Sequence, residues 1–314
     1  MTIDTSSLFE PLDVRGKHFK NRIIMPPMVV LRGITTFEGI EWYRRHAQGG
    51  PALVIVEASE VRRFGKEFTS RNLKPLVDAI RNEGALAGIQ LFPHIITEKV
   101  FPADLSEEDI ALMISAYAHA ASICRDAGFD AVEPHGAHNY ILNLFFSPNK
   151  NKRTDTYGGS LENRMRLAGE IIEAVVPFCD DMLLMYRHTP VGSGYDMEES
   201  LQLARMLVNK GVDILDISPA SDQAPGDRAE PFSGLGVPVA AVNRLSQPER
   251  AVEVLAEKRA DLCAIGRGLI ADPDWVIKVE ENRFEDITEC IDCNEMCFGN
   301  LRKKIPIACT QWKT

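Results

Sequence analysis

Short apolar runs alternate with longer amphipathic stretches almost from one end of the chain to the other. Eight runs read as strands: "RIIMPP" (22–27), "ALVIVEA" (52–58), "LAGIQL" (86–91), "DAVEPH" (130–135), "MLLMYRH" (182–188), "DILDIS" (213–218), "VPVAAV" (237–242) and "DLCAIG" (261–266). Each is rich in Val, Ile or Leu without strict alternation, the pattern of a parallel strand buried on both faces. Helical periodicity fills the intervals, at 106–128, Ser160 to Pro177, Met197 to Gly211 and Gln247 to Lys258. The first of these helices opens on a Ser-x-x-Asp cap at Ser106 and stops at Gly128.

Eight strand–helix units over about 280 residues predict an α/β chain folded as a single (β/α)8 TIM barrel. A doubly wound sheet shares the alternation and is set aside only on count and length. No repeat, low-complexity tract or linker marks a second large domain. The expected division is a barrel over residues 1–284 and a short cysteine-rich segment over 285–314.

Composition changes this picture little: 45% hydrophobic and 25% charged residues are ordinary for a globular chain. The formal net charge of −10 argues against nucleic acid as a partner, since that binding rests on Lys and Arg neutralising phosphates. No apolar run approaches the roughly 18 residues of a membrane span, and "MTIDTSSLFEPLDVRGK" lacks a signal-peptide pattern. The expected setting is the reducing cytoplasm, where clustered cysteines bind metal or carry out redox chemistry more often than they form disulfides.

A barrel places its chemistry where the strands end. The residues there include Pro26, Pro27 and Met28, then Ala58, Gln90, His135 to Tyr140, Arg187, Asn243 and Arg244, and Gly266 and Arg267. His135 and His138 are three apart, with Tyr140 two further on. By spacing alone such a pair could bind a metal, act as acid and base, donate hydrogen bonds to one oxygen, or merely satisfy loop backbone.

"GFDAVEPHGAHNYILNLFFSPNKNKRTDTYGGSLENRMR" (128–166) resembles the signature of the old yellow enzyme family of FMN-dependent ene reductases. The likeness extends through "NRIIMPPM" (21–28), "WYRRHAQGGPALVIVEAS" (42–59), "GIQL" (88–91) and "DLCAIGRGLIADPDW" (261–275). It implies that His135 and His138 hydrogen-bond the oxygen of a conjugated carbonyl, stabilising enolate charge. Tyr140 would be the proton donor. Gln90 would bond the flavin's pyrimidine edge, Arg187 its anionic reduced form, and the main chain around Pro26 to Met28 and Ala58 would frame the ring. Asn243, Arg244, Gly266 and Arg267 would hold the FMN phosphate.

Other motifs weigh less. "GRGLIA" (266–271) fits a dinucleotide glycine pattern but lacks the βαβ unit and the acidic residue that must follow it. "RTDTYGGSLENRMR" reads as a pin for the long loop after the fourth strand. Cys124, Cys179 and Cys263 read as core packing.

The chain ends on "CIDCNEMCFGNLRKKIPIAC", where Cys290, Cys293, Cys297 and Cys309 are spaced C-x2-C-x3-C-x11-C. Four thiolates suit zinc or an iron–sulfur cluster. The segment resembles the one that binds [4Fe–4S] in the multidomain branch of the same family, with 2,4-dienoyl-CoA reductase, enoate reductase and trimethylamine dehydrogenase; "VNRL" (242–245) points to the same branch. A cluster carries electrons singly, which implies a second redox centre. The C-terminal FAD- and NAD-binding domains of that branch have no counterpart here, so the expected donor is a separate flavoprotein subunit, ferredoxin or flavodoxin. A homo-oligomer is left open.

The chain departs from the family after Gln90, where "LFPHIITEKVFPADLSEED" (91–109) is short and puts His94 out of register, and at Pro134 and Asn139. The leading expectation is reduction of an activated C=C bond in an enone, enoate or enoyl-CoA. The alternatives are an amine dehydrogenase or demethylase like trimethylamine dehydrogenase, and a flavin/iron–sulfur carrier without turnover of its own.

Overall fold

The computed structural model describes residues 3–93, 100–220 and 228–312, so His94 lies outside the described residues. A hairpin of β1 (Leu12–Val14) and β2 (Lys17–Phe19) precedes the barrel strands. These are β3 (Ile23–Met25), β4 (Leu53–Glu60), β5 (Leu86–Phe92), β6 (Ala131–Gly136), β7 (Leu183–His188), β8 (Ile214–Ile217), β9 (Val239–Val242) and β10 (Leu262–Ala264). They close into one parallel barrel, β3 to β10 in chain order, with β10 beside β3. The fold is the (β/α)8 barrel expected from the apolar runs.

Alternation along each strand explains why both faces are apolar. Ile24, Leu53, Ile55, Leu183, Ile214 and Leu262 belong to a cluster inside the barrel. Their neighbours Ile23, Val54, Leu184, Leu215 and Cys263 belong to the larger cluster between strands and helices. Cys124 and Cys179 are buried in that outer cluster too, as packing residues. The helix Glu107–Ala127 begins on a capping box between Ser106 and Asp109 and ends at Gly128 with φ of 90°. A cap of this kind contributes about 1 kcal/mol.

The hairpin turns through Arg15 (φ 44°) and Gly16 (φ 77°), the two left-handed positions of a tight hairpin turn. Its Val14 and Phe19 join the interior cluster at the end where the strands begin. Lys17 pairs with Asp130 at 2.8 Å and Arg15 with Asp213 at 2.9 Å, each just ahead of a barrel strand. The hairpin therefore closes the floor, leaving the other end open for chemistry.

Toward that open end the inward positions turn polar: Gln90, Glu133, His135, Arg187, Asp216 and Ser218 are all buried. The tail folds over the same end. Ile307 donates its N–H to the Val30 carbonyl at 3.1 Å, Arg32 donates to the Ile307 carbonyl at 2.8 Å, and Trp312 donates to the Ile270 carbonyl at 2.9 Å. No helix among the described residues is long and apolar enough to cross a membrane.

Gly136, the last residue of β6, has no space for a side chain. A Cβ there would stand 2.0 Å from the Tyr186 hydroxyl oxygen and 2.3 Å from its Cζ. Tyr186 is itself buried, so its ring has nowhere to swing. Gly136→Ala is expected to cost about 1–3 kcal/mol, the usual range for overpacking, measured as a lower midpoint in urea unfolding. An unchanged midpoint would mean that the barrel wall yields at this point.

Candidate active site

Strand register brings the chemistry together. His135 on β6 stands beside Arg187 on β7, and Arg187 beside Asp216 on β8. Ser218, just past β8, ties this row to the turn after β6: Arg187 Nη2 donates to its Oγ at 3.1 Å, and His138 Nε2 lies 2.8 Å from the same oxygen. The His138 N–H donates to Thr189 Oγ1 at 2.9 Å, and that hydroxyl donates to the Ser218 carbonyl at 3.1 Å. His138 (φ 59°) and Asn139 (φ 60°) are both left-handed, which folds the turn back over the barrel mouth. Asn139 donates its N–H to Asn143 Oδ1 at 3.0 Å, which fixes that turn onto the next helix, Ile141–Phe146.

Three rings gather around His135. The His138 and Tyr140 rings each lie 5.3 Å from it, centroid to centroid, and Phe92 lies 5.6 Å away. Phe92 also meets Tyr140 edge-on at 4.8 Å. His135 is buried and His138 half-buried, whereas Tyr140 is 42% exposed. Burial, then the charges of His138 and Arg187, push the His135 pKa well below 6.5. Burial and Arg187 push His138 down to about 3. Both rings are therefore neutral at pH 7, each carrying one N–H. Because Ser218 Oγ accepts from Arg187, its hydroxyl hydrogen is available to His138 Nε2, an arrangement that puts the His138 proton on Nδ1. Two uncharged donors beside an exposed phenol suit a neutral oxygen acceptor that becomes an anion, not a cation.

Next to this cluster lies a cavity of about 460 Å³, in the range of cofactor pockets. Pro26, Pro27, Met28, Arg187, Asn243, Arg244, Gly266 and Arg267 line it, all of them expected to bind the cofactor. Arg187 joins cavity to histidine cluster, since its Nη1 also reaches the Pro27 carbonyl at 3.4 Å. Asn243 (φ 107°) and Arg244 (φ 55°) have positive φ after β9, forming a tight turn in the cavity wall. At Gly266 a Cβ would come within 3.3 Å of Met28 Sδ, so the side-chain-free surface faces the cavity's apolar wall. Apolar residues, arginines and tight backbone turns around one cavity fit the flat ring and anionic tail of FMN.

Other expected contacts lie elsewhere. Ala58 and Gln90 do not line the cavity; Ala58 is half-buried in β4. Gln90 is buried, with its amide donating to Glu133 Oε2 at 3.2 Å. Arg267 lines the cavity while its guanidinium pairs with Asp292 at 2.8 Å and Asn294 at 3.2 Å, both in the cysteine segment. Sequence reasoning missed Ser218, Thr189 and the buried carboxyls Glu133 and Asp216. The available signal for the last two was an acidic residue inside an otherwise apolar, two-face-buried strand.

Cys290, Cys293, Cys297 and Cys309 all line one second, small cavity of about 20 Å³, together with Arg267 and Ile270. Cys290 and Arg267 line the large cavity as well. Cys293 Sγ sits 3.4 Å from Thr310 Oγ1, and Cys309 Sγ accepts from the Gln311 N–H at 3.5 Å. No group of three or more His, Cys, Asp or Glu that could hold a metal ion occurs among the described residues.

A sequence profile of the NADH:flavin oxidoreductase / NADH oxidase family matches residues 7–97 and 93–286. The NADH oxidase of Thermoanaerobacter brockii is 32% identical over 361 residues, covering 97% of this chain and 55% of that protein. Among solved structures, a 2-naphthoyl-CoA reductase in complex with 2-naphthoyl-CoA superposes with a TM-score of 0.88 at 26% identity, covering 98% of this chain and 57% of that one. Histamine dehydrogenase from Rhizobium sp. 4-9 superposes with a TM-score of 0.83 at 27% identity, covering 98% and 52%. The chain spans little more than half the length of each of these relatives. Barrel, cavity and sequence agree: the chain belongs to the NADH:flavin oxidoreductase / NADH oxidase family.

Proposed function

We propose that the protein reduces an activated C=C bond conjugated to a carbonyl, of the enone, enoate or enoyl-CoA type. The observation that carries this reading is the neutral His135/His138 pair packed against the exposed Tyr140 beside Arg187. The likeness to a reductase holding an aryl-CoA thioester supports it.

Pro26 to Met28, Arg187, Asn243, Arg244, Gly266 and Arg267 would hold FMN, and the four tail cysteines a [4Fe–4S] cluster, with zinc the less favoured occupant. Bound, the flavin supplies two electrons as hydride, and the cluster passes electrons one at a time. The protein's own part is then to hold the substrate oxygen on the two imidazole N–H groups, where buried donors stabilise enolate charge most. Tyr140 delivers a proton to the α-carbon and regains it from water, which its exposure allows. The wall shared by the two cavities, formed by Cys290 and Arg267, would set cluster beside flavin for single-electron passage, and the donor in this reading is a separate flavoprotein, ferredoxin or flavodoxin.

An amine dehydrogenase is the second reading, favoured by the match to histamine dehydrogenase. Against it, His135 and His138 are neutral N–H donors, which suit an oxygen acceptor better than a cation. The test is anaerobic purification with assays of flavin, iron, sulfide and zinc, then mixing of reduced protein with cyclohexenone, an enoate and an enoyl-CoA. Expected are one FMN, about four iron and four sulfide per chain, and reoxidation of the flavin by at least one alkene. Reduction of the oxidised protein by histamine or trimethylamine, with no alkene active, would overturn the reductase reading. Zinc without iron would overturn the cluster, and fast steady turnover on NADH or NADPH alone would overturn the separate donor.

A further inference from the structure

Below the histidines the barrel interior carries more negative than positive charge. The Glu133 and Asp216 carboxyls lie against each other, both fully buried. Arg187 Nε stands 3.5 Å from Asp216 Oδ2, and the Gln90 amide donates to Glu133 Oε2 at 3.2 Å. Glu133 Oε1 and both oxygens of Asp216 have no hydrogen-bond donor among the described residues. Among the described residues the other neighbours bring no compensating charge: His135, on the same strand as Glu133, is neutral, and Met185 and Ile214 on β7 and β8 are apolar. Two carboxylates against one guanidinium leave an unmatched charge in a closed core, among the costliest burials a protein can make. One proton resolves both problems. It supplies the missing donor between the carboxyls and leaves one negative charge to match Arg187.

We propose that Glu133 and Asp216 share one proton and act through Arg187 as positioning residues, taking up a second proton from solvent when an anion forms in the cavity beside Arg187. The balance is simple: one carboxylate becomes a carboxylic acid, no electrons move within the pair, and no bond to carbon changes. Before the event the pair's single negative charge matches Arg187; afterwards the anion does, and the interior stays neutral. An added anion weakens the attraction that kept the second carboxyl ionised, which drives the uptake. Burial first, and Asp216's charge second, push the Glu133 pKa well above the carboxylate range, in the direction this sharing requires. The anion in question is the reduced flavin, so this step rests on Arg187 facing it.

The first experiment uses cofactor-free protein at pH 7 and infrared difference spectra of wild type against E133Q and against D216N. A protonated-carboxyl band that shifts in D2O and disappears in both variants is expected. Its absence from both differences overturns the shared proton, whether or not flavin binds. The second experiment follows the flavin midpoint potential against pH in the loaded protein. Wild type is expected to take up two protons per electron pair and the E133Q/D216N double variant, which keeps neither carboxyl, only one, which halves the slope. A wild-type slope of one proton, or equal slopes in wild type and double variant, overturns the uptake, and the wild-type slope decides even where the double variant fails to fold.

Discussion

Tyr140→Phe is expected to slow reoxidation of the reduced flavin by an alkene by about 10²- to 10⁴-fold, the usual worth of a positioned general acid. The substitution removes one oxygen and keeps the ring. Phe92 at 4.8 Å and His135 at 5.3 Å hold that ring, so the side chain stays in place. At 42% exposure the lost hydroxyl leaves little buried surface unsatisfied, and stability should move by no more than about 0.5 kcal/mol. Reduction of the flavin from the donor side does not use this proton and should be unchanged. Stopped-flow absorbance of the two half-reactions separates them. If the alkene reoxidises the variant as fast as the wild type, the proton comes from elsewhere and Tyr140 is a wall of the site.

Acidification is expected to destabilise the fold from about pH 6.5 downward, well before its carboxylates titrate in bulk. Burial lowers the His46 pKa to about 4 and those of His138 and His188 to about 3, and lowers His135 as well. In the unfolded chain each titrates near 6.5. Between those values the unfolded state binds protons that the folded state refuses. The stability from these neutral rings is therefore complete above pH 6.5 and is lost as pH falls. Each ring contributes about 1.4 kcal/mol per pH unit through that window, so the three with the lowest stated values sum to about 4 kcal/mol per unit. Glu57 and Glu133, whose pKa values burial raises, act with the opposite sign and offset part of it. A net loss of at least about 2 kcal/mol between pH 7 and 5 is expected in urea unfolding, a large part of a typical stability of roughly 5–15 kcal/mol. A flat profile would mean that the rings find protons inside the fold.

The barrel was legible because its signal is local. A run buried on both faces needs only its own residues to announce it, and Ile23–Met25 through Leu262–Ala264 all fall inside the expected runs or within two residues of their edges. The cap at Ser106 and the stop at Gly128 were legible for the same reason. The floor hairpin was not, because two strands of three residues have too little periodicity to read. At the site, strand ends and a family signature pointed to residues that the fold brings to one mouth of the barrel: the histidines, Tyr140, Arg187 and much of the lining of the large cavity. Ser218, Thr189, Glu133 and Asp216 matter through partners on neighbouring strands, up to 80 positions away for Ser218 and His138. That pairing exists only once the barrel closes. Gln90 stands at the strand end expected for it, and its link to Glu133 on the next strand was not legible before the barrel closed.

Cys290 and Arg267 each form part of both cavities, and the Arg267–Asp292 ion pair braces the wall between them. A shared wall makes the two cavities one thermodynamic system. Whatever settles in the first and orders that wall leaves less ordering for the second to do, so each occupant tightens the hold on the other by the same factor. Were both cavities filled as proposed, a chain starved of one prosthetic group would shed the other more readily, and restoring either one would begin to restore both.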